Sequence, residues 1–93
     1  MSWRFSDFYL RYIQWVADDD PPEDFKFWVM AWLYRLQDDP RSDAAVAPGL
    51  REPWWFAKVP HAENDTHAVV CLYSIEDDHV RCSGITSLRK PIT

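Results

Sequence analysis

Residues 22–36 read Pro-Glu-Asp-Phe-Lys-Phe-Trp-Val-Met-Ala-Trp-Leu-Tyr-Arg-Leu. Phe25, Trp28, Val29, Trp32, Leu33 and Leu36 stand at i, i+3, i+4, i+7, i+8 and i+11, the spacing of one apolar stripe along an α-helix. Pro22 suits the first turn, where a helix leaves its N–H groups unpaired in any case. Glu23 and Asp24 complement the positive end of the helix dipole, and Asp38-Asp39-Pro40 stops the element. The opposite side is apolar as well: Phe27, Met30 and Tyr34 lie roughly 100–200° away from the stripe at ~100° per residue. A helix apolar on two sides is either sandwiched between layers or meets a partner. Here the second side is either covered by the preceding helix or offered to another protein.

Moving toward the N-terminus, Ser6 is placed to cap an earlier helix, with Asp7 in its first turn. Tyr9, Tyr12, Ile13 and Val16 form its expected apolar stripe, and Pro21-Pro22 ends it near Asp18-Asp19-Asp20. Before it, residues 2–5 alternate polar and apolar, with Trp3 and Phe5 on one side, as a short strand does.

Toward the C-terminus, residues 38–53 are rich in Asp, Pro, Ala and Ser and read as a surface loop. Three strands are then predicted. Trp54 to Val59 is closed by Pro60. His67 to Ile75 is apolar on both faces, as a central strand is. Glu76-Asp77-Asp78 turns the chain back into a strand from His79 to Leu88. The order β-α-α-β-β-β predicts an α+β fold, with two N-terminal helices on one face of a small, mostly antiparallel sheet. At 93 residues it is one domain.

Six Trp, five Phe and four Tyr are a heavy aromatic load for this length and supply much of the core. The formal charge is −5, which argues against holding nucleic acid by bulk electrostatics. That charge is uneven: residues 1–43 carry nine acids and five bases, residues 44–93 six and five. No apolar run approaches the ~20 residues of a membrane span, and the polar N-terminus does not resemble a signal peptide. A reducing, cytoplasmic setting is the expectation.

His61, His67, His79, Cys71 and Cys82 show no zinc spacing, so neither a metal nor another cofactor is expected. If the last two strands form a hairpin, Cys71 and Cys82 lie near each other across the turn, in a register the turn decides, and they read as buried free thiols. Ser83 and Ser87 lack a nucleophile elbow, and the paired Asp residues sit in turns where solvated carboxylates belong. The basic residues are more informative. Beyond Asp78 there are no acids, while Arg81, Arg89 and Lys90 follow, with Lys58 on the first of the three strands and Arg51 just before it. Either neighbouring strands gather some of these onto one concave face, where phosphate can be held, or they are scattered, solvated charges that balance the acidic loops.

Several strings in this order resemble the RelE/ParE superfamily, the toxin components of bacterial type II toxin–antitoxin pairs. They are residues 32–40 (Trp-Leu-Tyr-Arg-Leu-Gln-Asp-Asp-Pro), Pro48-Gly49-Leu50, residues 54–59 (Trp-Trp-Phe-Ala-Lys-Val), residues 69–75 (Val-Val-Cys-Leu-Tyr-Ser-Ile) and Val80 to Lys90. The resemblance implies either ribosome-dependent mRNA cleavage or action on DNA gyrase, and neutralisation by a small antitoxin. In the nuclease branch, basic residues orient the 2′-hydroxyl and stabilise the phosphate in the transition state. The strand-two lysine corresponds to Lys58, and the basic pair after the last strand to Arg89 and Lys90. The chain departs from that pattern at Phe56 and near Val70, where the family has basic residues, and in Pro91-Ile92-Thr93, which contains no Tyr.

The candidate catalytic set is therefore Lys58, Arg81, Arg89 and Lys90. The candidate partner-binding set is Phe27, Met30, Tyr34, Trp54 and Trp55, since exposed aromatics anchor interfaces. The expected partners are a small antitoxin or other protein, ribosome-bound mRNA or gyrase, and a second copy of the chain as a homodimer. The competing reading is a non-enzymatic interaction module on the same fold.

Overall fold

The central strand forms where its double-sided apolar run requires, and the other elements arrange around it. In the computed structural model, which describes residues 3–40, 45–46 and 54–90, the order is β1 (Arg4–Ser6), α1 (Phe8–Asp19), α2 (Glu23–Leu36), β2 (Ala45–Val46), β3 (Trp54–Glu63), β4 (His67–Glu76) and β5 (His79–Arg89). The sheet order is β1-β5-β4-β3-β2, with β1 parallel to β5 and every other pair antiparallel. Both helices pack on one face, α1 against β5 and α2 against β3. This is the α+β layer fold that the element order predicts.

The core lies between that face and the helices. Phe25, Val29, Trp32 and Leu36 of α2 are buried there, with Val69, Cys71, Tyr73 and Ile75 of β4 and Val80, Cys82 and Ile85 of β5. These α2 residues belong to the predicted stripe, although Trp28, on the same stripe, is 36 % exposed. Cys71 and Cys82 are buried free thiols with their Sγ atoms 3.7 Å apart. Burial pushes the Cys71 thiol well above its ordinary pKa.

Four expectations need correction. The region 38–53 is not all loop: Ala45 and Val46 pair with Phe56 and Trp55 as an edge strand, because β3 offers them an unpaired edge. The segment Pro48-Gly49-Leu50 and Arg51 lie outside the described residues. Ser6 does not cap α1. Asp7 holds that position at φ 69° without a side-chain cap bond, while the Ser6 hydroxyl meets His79 Nε2 at 2.6 Å.

The α1 stripe holds only in part, since Tyr12 and Val16 pack against the core but the other two members do not. Tyr9 is 70 % exposed and Ile13 47 %, whereas Trp15 is buried. Residues 8–16 are apolar almost all round, so periodicity alone does not select the buried side. Hydrogen bonds do. Trp15 Nε1 donates to Ser87 Oγ at 2.9 Å, and the Ser87 N–H donates to Asp19 Oδ2 at 3.0 Å. β1 pairs only with residues 79–81 of β5, and Asp19 satisfies one backbone N–H of the edge beyond it.

Finally, β3 does not end at Val59 but runs through Pro60 to Glu63. It does so over an irregularity. Lys58 pairs with Val70 and Glu63 with Ala68, so five steps along β3 match two along β4. A bulge of this kind tolerates proline, which has no N–H to donate. His61 takes the left-handed conformation at φ 68°, and its ring lies 4.6 Å from the Trp28 ring of α2.

Candidate functional site

Directly paired residues of an antiparallel sheet share a face, so the register sorts the candidate side chains. Lys58, Val70 and Thr86 form one row on the face away from the helices, and Glu63 and Ala68 lie beside it on that same face. Strict alternation from Lys58 would send residue 63 to the helix side; the bulge reverses that parity.

The turn after β3 completes the corner. The Asn64 side-chain oxygen accepts from the backbone N–H groups of Thr66 and His67 at 2.9 and 2.8 Å, and from the Thr66 hydroxyl at 3.0 Å. Local bonding of this type is why Asn recurs in turns. The turn in turn holds the end of β5, because the Lys90 N–H donates to the Thr66 carbonyl at 2.7 Å.

Two ammonium groups meet there. Lys58 Nζ donates to Glu63 Oε2 at 2.7 Å and Lys90 Nζ to the same oxygen at 2.9 Å. Hydrogen bonds from Lys58 and then Lys90 hold the Glu63 carboxyl at about 2, far below its ordinary 4.5. Lys58 keeps about half of its side-chain surface open to solvent, and Glu63 and Lys90 about a third. The two ammonium groups thus converge on one oxyanion, the protein's own carboxylate.

Of the candidate catalytic residues, the structure thus joins Lys58 and Lys90 and leaves the other two apart. Arg89 pairs in register with His67 and so lies on the helix side, because adjacent strand residues alternate faces. Arg81 shares the helix-free face but pairs with Ser74, four residues along β4 from Val70, a separation of ~13 Å at ~3.3 Å per residue. Its charge faces Asp7 at 3.9 Å. Glu63 is the residue that sequence reasoning missed. Its only signal was a lone acid shortly after Pro60-His61, and nothing local announces a parity change.

The candidate partner-binding residues divide similarly. Trp55 pairs with Tyr73 and packs against the core, while Trp54 pairs with Ser74 on the helix-free face and is 36 % exposed. Phe27 and Tyr34 are 62 % and 68 % exposed on α2. With half-buried Met30 and with Tyr12 of α1 they line a depression of about 480 Å³ between the helices. A smaller one of about 180 Å³, lined by Phe8, Tyr9, Leu33 and Tyr34, adjoins it through Met30. Helix one therefore covers the second side of α2 only in part.

Among the described residues no cluster of three or more His, Cys, Asp or Glu could hold a metal ion, and no helix is long and apolar enough to cross a membrane. Comparison of the chain with protein-family models, curated proteins and solved structures finds no match.

Proposed function

We propose that this domain is a RelE/ParE-like toxin component that acts on RNA phosphate at the Lys58–Lys90 pair and is restrained by a small protein partner. The observation that carries the reading is the convergence of both Nζ atoms on one carboxylate oxygen, at 2.7 and 2.9 Å, on a sheet face without a helix among the described residues. Two ammonium groups spaced to grip one oxyanion can also grip a non-bridging phosphate oxygen. When a 2′-hydroxyl attacks the adjacent phosphorus, its proton passes to water and the P–O5′ bond breaks, leaving a 2′,3′-cyclic phosphate and a 5′-hydroxyl protonated by solvent; charge builds on the non-bridging oxygens, and fixed donors then stabilise the transition state more than the ground state. Glu63 is a poor base at a pKa of about 2, so the site offers charge stabilisation rather than proton abstraction. This supports the RNA reading over the gyrase reading, which needs no anion seat.

The test is induced expression with growth and transcript integrity followed together. Lys58→Ala and Lys90→Ala should each relieve growth arrest and lower cleavage by about 10²–10³, the usual cost of removing one transition-state donor. Undiminished arrest in both folded variants would remove the proposed site.

A second reading has its own support. Phe27 and Tyr34 stand exposed beside the inter-helix depression, as the anchors of a non-enzymatic interaction module would. If Phe27→Ser with Tyr34→Ser abolishes capture of a co-expressed neighbour-encoded protein while Lys58→Ala changes nothing, the interaction module is the better description.

A further inference from the structure

We infer that Glu63 is an internal stand-in for the phosphate: its carboxylate fills the two-lysine seat, and an RNA phosphodiester binds by displacing it. The inference deepens the RNA reading above and rests on it for the identity of the ligand. Three structural features point to it. First, Lys58 and Lys90 do not pair with separate acids but share one oxygen of one carboxylate, so a single departure frees both. Second, the contact is built. The β3 bulge, with His61 at φ 68° and its ring tilted against Trp28, is what returns residue 63 to the face of Lys58. Bulges characteristically re-aim a side chain in this way. Third, the Lys90 backbone is held independently, through its N–H on the Thr66 carbonyl, so the seat does not need Glu63 to place that strand end.

Exposed ion pairs are weak, because water and salt screen them. Glu63 can therefore exchange with an oxyanion that takes over its bonds to both ammonium groups, and it competes with any incoming anion for the same donors. The consequence is a threshold: an isolated phosphate contends poorly with a tethered carboxylate at high local concentration. An RNA strand that makes further contacts displaces it. An acidic protein in which one basic seat is self-neutralised would otherwise show little affinity for nucleic acid.

The experiment titrates the purified 93-residue chain with a fluorescent single-stranded RNA of about ten nucleotides at fixed low salt. Glu63→Gln keeps the side chain's shape and removes its charge; Glu63→Ala removes both. Each should bind about tenfold more tightly than the parent, in line with the loss of two competing surface pairs. Asp24→Asn, an equal charge change on α2, should leave affinity within about twofold. Adding Lys58→Gln to Glu63→Gln should cancel the gain. Equal binding by parent and both Glu63 variants, or a gain that survives Lys58→Gln or is matched by Asp24→Asn, overturns the inference. Growth arrest read in parallel separates the two claims. A tighter Glu63→Gln protein that neither cleaves RNA nor arrests growth sinks the toxin reading and leaves displacement standing. Lys58-dependent arrest with no gain in Glu63→Gln does the reverse.

Discussion

The bulge at His61 places Glu63 against Lys58, so its conformation can be tested directly by substituting His61 itself. A non-glycine residue in the left-handed region costs roughly 1–2 kcal/mol, and His61 carries that cost at φ 68°. Against it stands the contact with Trp28, at a ring separation of 4.6 Å, where an aromatic pair contributes about 0.5–1.5 kcal/mol. His61→Ala loses the contact and keeps the strain. His61→Gly loses the contact too, relieves the strain, and gives back about 0.4–1 kcal/mol through the greater freedom of the unfolded chain. The glycine variant should then exceed the alanine variant by about 0.5–1 kcal/mol. For a chain of this length that is roughly 2–8 °C in Tm. Thermal unfolding followed by circular dichroism, checked by urea titration, measures the difference. If alanine matches or exceeds glycine, residue 61 does not occupy the left-handed region and the bulge is not built as described. Because both variants lack the ring, no change in stacking can mimic the result.

Three further outcomes are expected. The Glu63 carboxyl should titrate at about 2 by carbon NMR, and Lys58→Ala or Lys90→Ala should each raise its midpoint toward 4.5. Since the folded value lies below the unfolded one, the stability it contributes is present above about 4.5 and lost as pH falls toward 2; a midpoint near 4.5 in the parent would show that the seat is not formed. Tyr73 is buried and its hydroxyl donates to the Pro40 carbonyl at 2.7 Å, so Tyr73→Phe should cost about 1–3 kcal/mol in urea unfolding, and a loss under ~0.5 kcal/mol would contradict that bond. Cys71 and Cys82 should resist a thiol reagent in the native state and react together in urea; rapid native labelling of either one would contradict their burial.

Much of this was legible from spacing alone. The i, i+3, i+4 pattern fixed α2 and most of its buried face, and the double-sided apolar run of 67–75 marked the central strand. Alternation could say that Trp54 and Trp55 face opposite ways, but not which one meets the core. That followed only from the pairing of Trp55 with Tyr73. For α1, seven apolar residues among nine left its orientation undetermined, and bonds to Ser87, more than sixty residues away in the chain, settle it.

Local patterning thus determined both helices, the strands other than β2, and their order, because helix and strand periods are written into neighbouring residues. It also named Lys58 and Lys90 as cations near the sheet. What only the tertiary structure decided is that these two meet while Arg81 and Arg89 do not, and that Glu63 stands between them. A strand's face is set by parity, and one bulge, held by a contact between His61 and a helix thirty residues earlier, changes that parity without leaving a local mark.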